Sequence, residues 1–182
     1  MENKQQNSRT SRRDFIKVAG TGAIGLIVGG AAGYAIANSG YAAERSRETQ
    51  YQEMFREYVA SWNAHDVEKI LSFFTDDLVY EHVPRGENYR GKDQLKAWVK
   101  GTFDAIPDFK IDMPLLLGSG DLLACEWVMT GTNTGPLAPE VPATGKSFSV
   151  RGSSIVQLKN GKIQRNSDYW DLATFLGQLG LM

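Results

Sequence analysis

Apolar residues recur along this chain with two different periods. From Glu53 to Trp62, the residues Met54, Phe55, Tyr58, Val59 and Trp62 fall on one face of a helix. Asn63-Ala64-His65-Asp66 interrupts that face, and Asp66 is placed to cap a second, shorter helix through Ile70, Leu71 and Phe74. Leu78 to Val83 reads as a strand ended by Pro84, and Gly91 opens a third helix with Leu95, Trp98, Val99 and Phe103 on one side. Beyond Pro107 the period shortens. Strands are expected over Phe109 to Leu117, Leu122 to Thr132, Phe148 to Leu158 and Ile163 to Trp170. Gly118-Ser119-Gly120-Asp121 turns the first pair, residues 133–146 form a loop rich in Pro, Gly, Thr and Ala, and Asn160-Gly161 makes a hairpin with positive φ at both centres. A closing helix follows, with Leu172, Phe175, Leu176 and Leu179 on one face and Gly180 as its stop.

Helices at the front, strands at the rear and one helix at the end predict an α+β fold. Its mainly antiparallel sheet should curl into a cone around the N-terminal helices, and the mouth of that cone is the default ligand pocket.

Charge changes the picture at the N-terminus. The net charge of the whole chain is -1, which implies no basic surface for nucleic acid. Its distribution is uneven. Lys4, Arg9, Arg12, Arg13 and Lys17 face only Glu2 and Asp14 in the first 17 residues, and residues 18–43 carry no charged side chain. Within the basic head, Ser11-Arg12-Arg13-Asp14-Phe15-Ile16-Lys17 resembles the twin-arginine signal that bacteria use to export folded proteins. Small-residue cleavage sites occur at Ala35-Ile36-Ala37 and Gly40-Tyr41-Ala42. Residues 1–43 are therefore read as leader and linker and residues 44–182 as the domain. The expectation is export across the bacterial cytoplasmic membrane by the twin-arginine translocase. Left uncleaved, Val18 to Ala37 would be long enough to anchor the protein in the membrane. The glycines of Gly20-Thr21-Gly22-Ala23-Ile24-Gly25 mimic a dinucleotide-binding turn, but no strand precedes them and no ribose-binding acid follows.

Candidate chemistry is sparse. Cys125 is the only cysteine, so no internal disulfide forms, and His65 and His82 lack the spacing of zinc ligands. Tyr80 and His82, two apart on a strand, share a face and would be hydrogen-bond donors if that face is concave. Trp127 alternates with Leu123, Cys125 and Met129 as core or pocket wall. Glu126 and Arg151 lie mid-strand, either as a cross-strand ion pair or as cavity-lining specificity residues. In Asn166-Ser167-Asp168-Tyr169-Trp170-Asp171, two carboxylates flank two aromatics. Asp171 is either a helix cap or an acid–base carboxylate whose pKa is raised by burial beside Tyr169 and Trp170.

Several stretches resemble the SnoaL-like polyketide cyclases and ester cyclases of the nuclear-transport-factor-two-like superfamily: Trp62-Asn63-Ala64-His65-Asp66, Gly131-Thr132-Asn133-Thr134-Gly135, Pro142-Ala143-Thr144-Gly145-Lys146, Asn160-Gly161-Lys162-Ile163 and the terminal Gly177-Gln178-Leu179-Gly180. The resemblance spans Glu53 to Leu181 and implies the same cone. It also implies proton removal from carbon next to a carbonyl, with no metal or organic cofactor, by an aspartate at the start of the terminal segment, a position that falls on Asp171. Asn133 stands where the family frequently carries histidine. Read together, the residues assign Asp171 and His82 to catalysis, and Tyr80, Trp127, Arg151, Tyr169 and Trp170 to binding a small apolar molecule. The family also implies a homodimer through the exposed sheet face. The alternative is a ligand-binding or dimerising module without catalysis on the same fold.

Overall fold

The first turns of the sheet-forming region are set by a short polar motif. A computed structural model describes the chain from residue 30 to residue 182. The basic motif Ser11 to Lys17 and the glycine pattern Gly20 to Gly25 lie outside the described residues, as do residues 18–29 of the uncharged run. Helix α1 (Gly30–Asn63) ends where Asn63 pairs with the backbone of Ile111, donating from Nδ2 to its carbonyl at 2.8 Å and accepting its N–H at 2.7 Å. His65 adopts a left-handed φ of 56°, stacks on Phe103 and places Nε2 2.9 Å from the Phe109 carbonyl. Asp66 then caps α2 (Val67–Ser72) by accepting the Lys69 N–H at 2.9 Å. The sequence break between the helices is thus also the joint that fastens them to the sheet.

Six strands follow: β1 (Phe74–His82), β2 (Glu87–Arg90), β3 (Lys110–Ser119), β4 (Leu122–Thr132), β5 (Ser147–Lys159) and β6 (Lys162–Trp170). A single-turn 3₁₀ segment (Val83–Arg85) joins β1 to β2, α3 (Gly91–Ala105) separates β2 from β3, and α4 (Leu172–Leu179) closes the chain. The sheet order is β2-β1-β6-β5-β4-β3, antiparallel throughout except for the parallel β1–β6 pair. Register shifts interrupt the β1–β6, β3–β4 and β5–β6 ladders. Such irregularities bend strands, and here they accompany the curvature of the sheet. Pro114 lies within the shift on β3, an edge strand, where a missing N–H leaves no ladder bond unmade.

Residues Arg45–Met182 pack as one compact unit. Its core joins Phe55, Tyr58 and Trp62 of α1, Ile70 of α2 and Leu95 and Val99 of α3 to Phe74, Leu78, Val150, Val156 and Ile163 of the sheet. Burying each of the large aliphatic or aromatic side chains contributes roughly 1.5–3 kcal/mol. Asn160 and Gly161 both take positive φ, 53° and 74°, as a hairpin with Asn-Gly at its centre requires.

The loop between β4 and β5 is organised from within. Asn133 is fully buried. Its Nδ2 donates to the Gly135 carbonyl at 2.6 Å, its Oδ1 accepts the Thr144 N–H at 2.9 Å, and its backbone carbonyl accepts the Gly145 N–H. The residue standing where histidine is frequent in the resembled family is therefore a loop clasp.

Candidate active site

Period-two geometry brings the chemistry to one face. On β6, Asn166, Asp168 and Trp170 point inward; on β1, Tyr80 and His82 do the same, and the parallel register sets Tyr80 beside Asn166 and His82 beside Asp168. Ser154 of β5 lies directly across from Asp168, and across from Cys125 on β4. These residues border a cavity of about 110 Å³. Its remaining wall is apolar and largely aromatic, with Tyr58, Trp62, Trp98, Phe109, Trp127, Met129, Phe148 and Phe175. Arg85 stands on the same wall, tied to Glu87 at 2.7 Å.

Asp168 is 6% exposed. Its Oδ2 accepts the Tyr80 hydroxyl at 2.5 Å, and its Oδ1 accepts both the Ser154 hydroxyl and the Asn166 amide at 2.6 Å. No basic side chain pairs with it among the described residues. Burial and the neighbouring Asp168 charge push the Tyr80 phenol well above its ordinary range, so it keeps its proton and can only donate to the carboxylate. Burial pushes the Cys125 thiol up to about 11, which leaves no thiolate at neutral pH.

His82 is the second polar group of the wall. Its Nδ1 accepts the Trp170 indole N–H at 3.3 Å. Burial lowers its pKa, with Asp168 opposing that shift, so the imidazole is neutral at pH 7. An indole N–H can only donate, so Nδ1 must be the bare nitrogen and Nε2 carries the hydrogen. That Nε2–H is buried and has no partner. A buried unsatisfied donor costs about 1–3 kcal/mol, and a ligand oxygen would satisfy it.

A neutral buried histidine also ties stability to pH. Unfolding exposes an imidazole that binds a proton below about pH 6.5, whereas the folded ring resists it. The unfolded state then holds more protons, so this contribution is fully present above the unfolded pKa and is lost as pH falls below it. Denaturant melts at pH 7 and pH 5.5 should show a loss on acidification that is smaller in His82→Gln; an equal loss in both proteins would contradict a buried neutral ring.

A family model for SnoaL-like polyketide cyclases matches residues 52–179, which is most of the chain. The protein belongs to the SnoaL-like polyketide cyclase family. Solved structures agree on the fold. AclR from Streptomyces galilaeus, a candidate hydroxylase, aligns at 22% identity over 74% of this chain and 83% of its own, with a TM-score of 0.65. A candidate SnoaL-like polyketide cyclase from Jannaschia sp. CCS1 aligns at 19% over 74% and 94%, with a TM-score of 0.67. A protein of ketosteroid isomerase-like fold from Catenulispora acidiphila, solved with trimethylamine, aligns at 21% over 70% and 92%, with a TM-score of 0.61.

Of the two readings of Asp171, helix cap or buried acid–base carboxylate, this SnoaL-like domain shows the first. Asp171 is at the surface and caps α4, accepting the Thr174 N–H at 2.8 Å and the Thr174 hydroxyl at 2.6 Å. Those two bonds hold its carboxyl below the ordinary range, the opposite of the shift expected from burial. The desolvated carboxylate is Asp168, three residues upstream. Tyr169 and Arg151 also lie off the site. Tyr169 alternates to the outer face and is 45% exposed, and Arg151 reaches Glu126 at 3.5 Å across the solvated side of the sheet. Tyr80, His82, Trp127 and Trp170 all border the cavity. Ser154 and Asn166 had no individual signal in the sequence. Asp168 had one: it lies two residues before Trp170 on an expected strand and so shares its face.

Proposed function

We propose that this SnoaL-like protein is a cofactor-independent acid–base enzyme of the cyclase or isomerase type, acting on a small apolar carbonyl compound. One observation carries the reading: a buried carboxylate held by neutral donors opens on an apolar cavity next to an unpartnered imidazole N–H. Membership of the SnoaL-like family supports the same class of chemistry. Asp168 removes a proton from carbon next to the carbonyl; the C–H bond breaks, an O–H bond forms on the carboxyl, and the electron pair moves onto the substrate oxygen. His82 Nε2–H donates to that oxygen as negative charge develops. Either the enolate carbon then attacks a second carbonyl within the same molecule, forming the C–C bond while that carbonyl's oxygen takes the proton back from the Asp168 carboxyl, or the enolate takes the proton back at another carbon; both routes regenerate the carboxylate. The aromatic wall holds the substrate and excludes water, which strengthens both polar contacts. A panel of β-keto esters and enones, followed for ring closure or double-bond migration, tests this; absence of turnover on any of them, with the same compounds bound in the cavity, would count against catalysis.

A second reading keeps the cavity and drops the chemistry. A buried carboxylate without a cationic partner among the described residues, set in aromatic walls, suits a small organic cation. The trimethylamine in the Catenulispora acidiphila structure gives the probe. Saturable quenching of tryptophan fluorescence by trimethylammonium, lost in Asp168→Asn, would favour binding alone.

The leader extends the proposal. Arg12 and Arg13 direct export by the twin-arginine translocase, supported by the basic head and the uncharged run behind it. Replacing both by lysine should hold the protein in the cytoplasm; fractionation finding the variant exported normally would refute this part. A homodimer through the outer sheet face completes the reading. Leu115, Leu117, Ile155 and Tyr169 are exposed there, and Leu117→Glu should convert a sedimenting dimer to monomer. Wild type that sediments as a monomer would remove the dimer from the account.

A further inference from the structure

The carboxylate of Asp168 has a supporting chain behind it that reaches across three strands. Trp127 Nε1 donates to Ser154 Oγ at 2.8 Å, and Ser154 donates to Asp168 Oδ1 at 2.6 Å. The direction of both bonds is fixed by chemistry. The indole N–H cannot accept, so the serine oxygen accepts from it, and the single serine proton is left for Asp168. Oδ1 also accepts from Asn166, whereas Oδ2 accepts only from Tyr80. A carboxylate oxygen has about two acceptor sites. Oδ1 is therefore saturated, and Oδ2 retains one open lone pair.

The indole itself is seated by a missing side chain. Gly152 lies directly opposite Trp127 on β5. A Cβ there would come within 2.2 Å of the six-membered ring at Cη2 and within 2.6 Å of two further ring carbons. Alanine at 152 would displace the ring, and with it the N–H that orients Ser154.

Resting on the acid–base reading above, the geometry points to Trp127 and Ser154 as positioning residues, seated by Gly152, that saturate Oδ1 and so direct proton exchange to Oδ2 of Asp168. Neither residue needs to touch the reacting atoms. Trp127, read from the sequence as core or pocket wall, acts here through its N–H.

The decisive experiment is a double-mutant cycle on turnover. Ser154→Ala should lower kcat about tenfold with KM nearly unchanged, as expected for loss of a bond to a charged group, and Trp127→Phe, which leaves the Ser154 hydroxyl unoriented, should lower kcat by a similar factor. Because the indole acts through the hydroxyl, the double variant should be no slower than either single one, and Ser154→Thr, which keeps a hydroxyl, should restore the rate. Independent losses that multiply to about a hundredfold would overturn the relay and leave Trp127 as wall. So would single variants with wild-type kcat. A second readout does not depend on activity. The Trp127 indole ¹H–¹⁵N resonance, assigned by its absence in Trp127→Phe, should move in Asp168→Asn and stay in place in Tyr80→Phe, which removes a donor from Oδ2. A resonance indifferent to Asp168→Asn overturns the relay even where no substrate is known. Failure to find any turnover, with the resonance behaving as stated, refutes the enzymatic reading and leaves the relay standing.

Discussion

Asp168→Asn should abolish most turnover while leaving the protein folded. The amide is nearly isosteric, and the hydrogen-bond pattern can survive the exchange. Its oxygen can occupy the Oδ1 place and keep the bonds from Ser154 and Asn166. Its NH₂ would then face Tyr80, whose hydroxyl can rotate to accept. What is lost is the capacity to take a proton from carbon. A positioned base contributes about 10²–10⁴-fold, and kcat should fall by that amount with little change in melting temperature. Asp171→Asn is the matched control. It removes a charge from a solvent-exposed cap and should leave kcat within about twofold, because that carboxyl is outside the cavity. Steady-state kinetics of the two variants on one substrate separates the aspartates. The reverse pattern, with Asp171→Asn inactive and Asp168→Asn active, would return catalysis to the helix cap.

The largest stability effect expected outside the apolar core is at Asn133. Truncation to alanine removes both partners of the loop clasp. The Thr144 N–H and the Gly135 carbonyl each lose their side-chain bond in a site with no exposure at Asn133 itself. Each buried polar group left unsatisfied costs about 1–3 kcal/mol, so a loss of roughly 3 kcal/mol is expected. The consequence reaches the cavity, because Leu137 of the same loop is part of its wall. Urea unfolding of Asn133→Ala should show the midpoint reduced with the slope unchanged, and binding of any cavity ligand should weaken in parallel. A stability change within about 0.5 kcal/mol would mean that water replaces the side chain and that the clasp is not structural.

Which parts of this molecule were legible beforehand follows from how local their causes are. The limits of β4 were readable because the apolar face of Leu123, Cys125, Trp127 and Met129 runs between a Gly-rich turn and a Pro-rich loop. Asp66, Asp171 and Gly180 were legible as helix ends because caps act within four residues. Strand β2 was missed: Glu87-Asn88-Tyr89-Arg90 is four residues of polar edge strand, with no alternation to announce it. The long lead of α1 was missed for a related reason, since Glu44 to Gln52 is too polar to show a continuous apolar face. The site was harder. Same-face placement of Tyr80 and His82 is a property of one strand, but the partners of Asp168 come from sheet order. Tyr80 reaches it from 88 residues away and Ser154 from 14. No local pattern encodes that β1 and β5 flank β6. The choice of Asp171 followed from the resembled family's terminal position; the alternation along β6, which sets Asp168 on the face of Trp170 and Tyr169 on the other, was the unused signal.

Proton removal from carbon by Asp168 is the central step, and hydrogen–deuterium exchange measures it without requiring the downstream reaction. A small β-keto ester that carries the acidic carbon but cannot cyclise, incubated in D₂O with the protein, should lose its α-proton signal in the NMR spectrum faster than buffer allows. Wild type and Asp171→Asn should accelerate this exchange equally, and Asp168→Asn should reduce it to the buffer rate. Acceleration that persists undiminished in Asp168→Asn would contradict the central claim.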